Sequence, residues 1–292
     1  MNLNRRNFLL GASQLALSAS FSPDIFAAES KTRFEFALSQ YSLRKLFKNG
    51  SLKVIDFPAF TKDTFGIKAI DLWEGGLPKD KLDDTKYFES LKNKSDSLGI
   101  DLFLYMAGTL HTVPNSFQSS YDKIIKSLDR GKILGVRFLR IFLLTEDLKQ
   151  AESAMTKLCE EASKRKIKII IEPIPKGKGR EGAFLAELYK KMNNPYLTLM
   201  PDFGKLKGNV YEGTKAMLPY SDSISAKMHS FDDLGKQPDF DYDRLARMII
   251  DSSYKGYITI EWEGRVLEPV AGVKASQKLL LESFRKYGAK IS

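Results

Sequence analysis

Tyr254-Lys-Gly-Tyr-Ile-Thr-Ile-Glu-Trp-Glu-Gly264 runs from apolar and β-branched residues into two carboxylates and closes on a glycine. In a β-strand alternate side chains share a face, so Thr259, Glu261 and Glu263 point one way and Ile258, Ile260 and Trp262 the other. A helix has no reason to bunch acids at one end of an apolar run. A buried strand that delivers an acid from its C-terminal end has one, if that end forms an active site.

This strand, predicted over Tyr257–Glu263, is the last of a series. Working back, strand character recurs over Phe34–Tyr41, Gly66–Glu74, Ile100–Met106, Val136–Leu143, Ile167–Ile174, Tyr196–Phe203 and Ser223–Ser230. Apolar residues at helical spacing predict helices between them, over Lys53–Phe65, Lys86–Leu98, Tyr121–Leu134, Leu148–Arg165, Gly182–Met192, Tyr211–Tyr220 and Tyr242–Ser253, with Ala271–Tyr287 last. Gly99, Gly135 and the run Asn193-Asn194-Pro195 act as stops, and Pro58 weakens the first helix. Alternation of strand and helix argues for parallel pairing through helical crossovers. Eight such units predict an α/β fold, the (β/α)8 TIM barrel. The other arrangement is an open doubly wound sheet, but no Gly-x-Gly-x-x-Gly follows the first strand. With no long linker rich in Pro, Gly or Ser, residues 29–292 are expected to form a single domain.

Residues 1–28 are expected to lie outside that domain. Arg5-Arg6-Asn7-Phe8-Leu9-Leu10 is an arginine pair leading into a short apolar stretch, followed by small residues and a processing site near Phe26-Ala27-Ala28. This resembles a twin-arginine export signal, the plainer reading being an ordinary secretory signal, and predicts a periplasmic or otherwise exported protein, free of the membrane once the signal is removed. A hydrophobic content of 43% with 28% charged residues describes a soluble globular chain, and the one cysteine, Cys159, rules out an internal disulfide. The net charge of +10 is scattered among acids on predicted helices with no basic block interleaved with aromatics, so no nucleic acid partner is expected.

In a (β/α)8 barrel the chemistry sits at the C-terminal strand ends. Strands five to eight end Ile171-Glu172-Pro173, Pro201-Asp202-Phe203-Gly204, Lys227-Met228-His229 and Ile260-Glu261. Three carboxylates and one imidazole thus stand at about one level. Burying such acids uncompensated costs several kcal/mol each, and a divalent cation (Mn, Mg, Co, Fe or Zn) offsets that cost. Each residue has a plainer role open to it. Glu172 can pair with a rim lysine, and Asp202 can cap a turn. Glu263 shares a face with Glu261, and Lys227 competes with His229 for a site role. Arg44, Trp73, Glu74, Arg140, Lys227 and Glu263 are candidate substrate contacts, while Trp73, Tyr105 and Trp262 are core by default or walls of a sugar pocket.

Six runs in order carry a resemblance: Gln40-Tyr41-Ser42-Leu43-Arg44, Asp71-Leu72-Trp73-Glu74, Gly135-Val136-Arg137, Ile171-Glu172-Pro173, Met200-Pro201-Asp202-Phe203-Gly204 and Gly256-Tyr257-Ile258-Thr259-Ile260-Glu261. Together they resemble the sugar phosphate isomerase/epimerase family of xylose-isomerase-like barrels, over about residues 34 to 287. The resemblance implies one divalent metal ion held by Glu172, Asp202, His229 and Glu261, and a small carbohydrate as ligand. It implies a metal-dependent isomerase or epimerase working through an enediolate, with Glu172 and Glu261 removing and returning the proton. β-Elimination from a 3-keto-glycoside shares that first step, so a lyase stays open, as does an exported sugar-binding barrel whose catalytic site has decayed. Two departures stand out: Pro173-Ile174 where many relatives carry Asn-His, and Ser225-Ala226-Lys227 where a histidine often stands two residues before the lysine. The endonuclease-like branch with three zinc ions needs many histidines, and this chain has two, His111 and His229.

The export reading has a direct test. Replacing Arg5 and Arg6 together by lysine is expected to leave full-length precursor in the cytoplasm, followed by cell fractionation. Undiminished export of the double variant would rule the twin-arginine signal out.

Overall fold

The protein is described by a computed structural model over residues 34–252 and 254–289. The export signal expected over residues 1–28, and Ser253 at the expected end of one helix, lie outside these residues.

Eight strands form one sheet: β1 (Phe34–Ser39), β2 (Ala69–Trp73), β3 (Asp101–His111), β4 (Phe138–Leu144), β5 (Lys168–Glu172), β6 (Leu197–Leu199), β7 (Ser223–Met228) and β8 (Gly256–Trp262). Their order is β6-β5-β4-β3-β2-β1-β8-β7, and every pairing is parallel. The seam between β6 and β7 closes through the bridges Leu199↔Ser221 and Asp202↔Ser225, where the Ser225 N–H donates to the Pro201 carbonyl at 2.9 Å. The fold is therefore the expected TIM barrel, nearly closed. Pro201 has no N–H to give, so β6 cannot run on to Phe203 as a regular strand.

Between the strands lie α1 (Arg44–Lys48), α2 (Phe57–Phe65), α3 (Thr85–Ser97), α4 (Pro114–Leu134), α5 (Leu148–Arg165), α6 (Gly182–Met192), α7 (Val210–Met217), α8 (Tyr242–Asp251) and α9 (Pro269–Lys286). Three of them differ from expectation at their N-termini for one reason. Pro58, Pro114 and Pro269 all sit in a first turn, where the missing N–H costs nothing and the fixed φ suits the helix. Pro58, expected to weaken its helix, here helps start it, and α4 begins at Pro114 instead of Tyr121. At the other end of α4, Gly135 takes φ 74°, a left-handed conformation that lets the chain turn directly into β4.

Two apolar layers result. In the outer layer, strand residues such as Leu72, Ile141, Ile171, Ile224, Ile258 and Ile260 pack against helix residues such as Leu128, Leu158, Leu188, Leu245 and Leu279. Fully burying one such side chain is worth about 1.5–3 kcal/mol. Trp262 and Tyr105 belong to this layer, so both are core and not sugar-pocket walls. The inner layer, with Ala37, Ala69, Phe103, Met106, Phe138, Ile170 and Met200, fills the barrel itself. Phe103 stacks on Tyr257 with ring centroids 3.8 Å apart, and the Tyr257 hydroxyl donates to Asp101 at 2.6 Å, plugging the N-terminal end. Toward the C-terminal end the interior turns polar, with buried Ser39, Asp71, Arg140, Glu172, Asp202, Ser225, Lys227 and Glu261. Among the described residues no helix is long and apolar enough to cross a membrane.

The packing of α5 can be probed through Cys159, which is 1% exposed and whose thiol burial pushes up to about 12. A thiol reagent at pH 8 is expected to leave the native protein unlabelled and to label one equivalent after denaturation in urea. Fast labelling of the native state would show that α5 is not seated on the barrel.

Candidate active site at the strand ends

Strand register decides which acids meet. Glu172 is the last residue of β5, Asp202 follows β6 and is bridged to Ser225, and Glu261 is paired with Lys227 across β7 and β8. One carboxylate oxygen from each of Glu172, Asp202 and Glu261 lies within 4.8 Å of the others, and all three residues are buried. By donor type and spacing this triad could hold a metal ion.

The triad is also densely paired. Lys227 Nζ lies 3.0 Å from Asp202 Oδ2, 3.2 Å from Glu261 Oε1 and 2.5 Å from Glu263 Oε1, with its side chain only 1% exposed. Lys205 Nζ lies 2.6 Å from Glu172 Oε1 and 3.4 Å from Asp202 Oδ2. Arg140 Nε stands 2.8 Å from Glu172 Oε2, and its guanidinium rests over the Phe142 ring. Ser225 Oγ donates to Glu261 Oε2 at 2.5 Å, and the Gly204 N–H donates to Asp202 Oδ1 at 2.8 Å. Two of these contacts are close without being aligned. Neither Glu172 Oε2 nor Asp202 Oδ2 accepts a hydrogen bond of good geometry, although each faces a cation. We read them as ion pairs held by charge alone.

The electrostatics follow from burial opposed by pairing. Burial pulls the Lys227 ammonium down, but Asp202, Glu261, Glu172 and Glu263 outweigh it and hold the group well above the usual lysine range. Lys205 is likewise raised, burial being outweighed by Glu172 and Asp202. Burial pushes the Glu261 carboxyl up, and Lys227 and Lys205 bring it below its ordinary value. Both lysines are therefore charged. At an effective dielectric of ~20, like unit charges ~4 Å apart repel by about 4 kcal/mol. The donor set fits a metal ion in kind and spacing, then, while the charge it would neutralise is already met by the protein.

The sequence-predicted residues divide into two groups. Glu172, Asp202, Glu261, Lys227, Glu263 and Arg140 are brought together. Glu263 is the third partner of Lys227, and Arg140 also donates to the Ala107 carbonyl at 3.0 Å. His229 is not in the group: it stands beyond the end of β7, 39% exposed, with Nδ1 3.8 Å from Asp239 Oδ2. Regular pairing stops at Met228, and the His229 ring lies against Gly204 at the mouth, outside the group of three carboxylates. Arg44 lies at the rim but donates to the carbonyls of Trp262 (2.9 Å) and Glu263 (3.1 Å), tying the loop after β1 to the end of β8. Trp73 packs partly buried against the inner layer with its ring edge-on to Tyr41. Glu74 faces α4, accepting from Ser127 Oγ at 2.6 Å and Arg130 Nη1 at 3.2 Å, and lines a separate cavity of about 690 Å³ with Thr109, His111 and Arg130.

Two residues of the site escaped the sequence reading. Lys205 sits in the loop after Asp202, and only its spacing of three residues from that acid hints at a role. Asp71 is fully buried; Oδ1 accepts from Ser39 Oγ (3.1 Å) and the Gln40 N–H (3.0 Å), and Oδ2 has no partner. Its signal was inward parity with Trp73 on β2. Burial, then the nearby Glu261, raises the Asp71 carboxyl well above the carboxylate range.

Residues 59–283 match the family described as xylose isomerase-like TIM barrel, and the chain belongs to it. Among similar proteins is the C-glycoside deglycosidase alpha subunit of Arthrobacter globiformis, 27% identical over 105 residues, or 32% of this chain and 30% of that one. The chain thus matches less than a third of the length of that curated relative. Solved structures of the same fold include the IolI protein with a bound zinc atom (13% identity, 88% of this chain and 100% of that one, TM-score 0.70). Another is 3-keto-D-glucoside 4-epimerase, YcjR, from E. coli (12% identity, 85% and 99%, TM-score 0.64).

The state of Asp71 generates a prediction. A carboxyl raised in the folded state contributes stability that is complete below its unfolded value, about 4, and is lost as pH rises toward the folded value. Asparagine does not titrate. Asp71→Asn is therefore expected to gain stability relative to the parent between about pH 4 and 7, measured by urea unfolding at several pH values. A difference that stays flat with pH would mean that Asp71 is ionised in the fold.

Proposed function

We propose that this protein is an exported enzyme acting on a small carbohydrate that carries a carbonyl group, and that it moves the proton on the adjacent carbon. The observation that carries this is the convergence of Glu172, Asp202 and Glu261, buried with their cations, at the C-terminal mouth of the barrel. Glu172 and Glu261 would serve a sugar carbon placed at this mouth as acid–base groups, one removing the proton and the other returning it. Return to the other face of the carbon gives an epimer, and return to the neighbouring carbon an isomer. The epimerase YcjR, of the same fold, supports the keto-sugar class.

The match to a C-glycoside deglycosidase subunit favours a second outcome of the same first step. Once the proton next to a 3-keto group has left, a substituent on the far carbon can depart as the double bond forms, which is β-elimination. A divalent ion held by Glu172, Asp202 and Glu261 would supply a Lewis acid for the carbonyl oxygen. The acid triad and the zinc bound by IolI support such an ion, and Lys227 seated among the same oxygens weighs against it.

Incubation with keto-glycosides, aldoses and ketoses in deuterium oxide tests the reading. Wild-type protein is expected to place deuterium on the carbon beside the carbonyl, detected by NMR. Glu172→Gln and Glu261→Gln are each expected to slow exchange by ~10²–10⁴-fold, the scale of general acid–base catalysis. Tight binding of such sugars without exchange would mark a binding barrel instead.

A further inference from the structure

We propose that Lys227 is the resident cation of this site: its ammonium, seated among Asp202, Glu261 and Glu263, holds the place of a divalent metal, and the enzyme works without one. The catalytic half of this statement rests on the function proposed above; the charge half rests on geometry alone.

Several features hold the ammonium there. Its distances of 3.0, 3.2 and 2.5 Å to three different carboxylates leave it enclosed by oxygen on three sides. The β7–β8 register, Ser225↔Thr259 and Lys227↔Glu261, fixes its backbone, and the Tyr242 hydroxyl donates to the Lys227 carbonyl at 2.7 Å. The stem passes so close over Gly204 that a Cβ there would meet Lys227 Cδ at 2.6 Å. Glycine at 204 is thus part of the lysine's seat.

The remaining oxygens are also engaged. Ser225, the inward residue before Lys227 on β7, spends its hydroxyl on Glu261 Oε2. Lys205 takes Glu172 Oε1. An ammonium offers three N–H donors and no lone pair, so Lys227 cannot join a metal's ligand shell and can only compete with the metal. Entry of a metal ion would have to push two charged side chains off the triad, with Glu263 the one further carboxylate already in contact with Lys227.

The same ammonium suits the proposed chemistry. When the carbon-bound proton passes to a glutamate, the C–H pair becomes the new C=C bond and the carbonyl π pair moves to oxygen. The positive charge of Lys227, with that of Lys205 beside it, would stabilise the enediolate oxygen through space in a water-poor site, with no co-reactant consumed.

The test uses the protein purified without chelator. Elemental analysis is expected to find far less than one metal per chain, and EDTA to leave both the melting temperature and deuterium exchange unchanged. Lys227→Met empties the seat while keeping its bulk. That variant is expected to bind Co²⁺, followed by its visible absorption, ~10- to 100-fold more tightly than wild type, the range over which altered surroundings tune metal affinity. Lys227→Arg, which keeps the charge, is expected to bind Co²⁺ no better than wild type. Wild-type protein that carries about one metal ion and melts earlier after chelation would overturn the proposal, whether or not Lys227→Met folds. A folded Lys227→Met indifferent to Co²⁺ would overturn it too. Absence of deuterium exchange with every sugar would defeat the enzymatic reading and leave the metal measurements to stand or fall by themselves.

Discussion

An ionised carboxylate inside a protein must be given a counter-charge, and in this barrel that need organises everything near the C-terminal mouth. Glu172, Asp202 and Glu261 are drawn to one point by the closing of the sheet. Their charges are met by Arg140 from β4, Lys205 from the loop after β6 and Lys227 from β7. Removing one partner of such a buried pair typically costs about 3–5 kcal/mol, because the other charge is stranded. The network therefore ties together strands distant in sequence. It constrains β4 to β8 as one unit.

The rest of the interior makes that concentration of charge tolerable. Below it, Phe103, Phe138, Ile170 and Met200 fill the barrel, and the Phe103–Tyr257 stack closes the far end. Asp71, on the other side of the barrel from the lysines' strands, has no cation in contact and is driven toward its neutral form by burial. At Glu261 the lysines outweigh burial and lower the carboxyl, whereas at Asp71 burial prevails and raises it. Environments that push carboxyl groups of one cavity in opposite directions are what proton-transfer chemistry uses. At the rim, Arg44 spends its guanidinium on the carbonyls of Trp262 and Glu263, so the strand end that carries Glu261 is held in place by the loop after β1.

Membership of the xylose isomerase-like barrels accounts for the architecture, and the structural neighbours at 12–13% identity share that architecture and no more. Function has to be read from the side chains. Epimerisation, isomerisation and β-elimination diverge only after the first proton has left, so the function proposed above would ask the triad and its cations for a base, a second acid–base group and positive charge near an oxygen.

Much of this was legible in the chain itself, and the boundary is physical. Alternation along a strand is local, so the parity of β8 could be read directly: Thr259 and Glu261 face in, and Ile258, Ile260 and Trp262 face out. The eight alternating units were legible for the same reason, as was the presence of acids at the ends of β5, β6 and β8. Helix starts at Pro114 and Pro269 were misplaced because a proline's effect depends on whether it falls in the first turn. The contents of the site were another matter. Whether Lys227 or His229 points at Asp202 depends on where β7 stops pairing with β8. That Asp71 is buried beside Glu261 depends on a closed ring of strands. That Lys205 reaches Glu172 depends on how a loop folds back over the mouth. The sequence by itself determined the barrel and the acids it would carry; only the tertiary structure decided which cations face them, because a counter-charge is chosen by distance across the barrel and not by spacing along the chain.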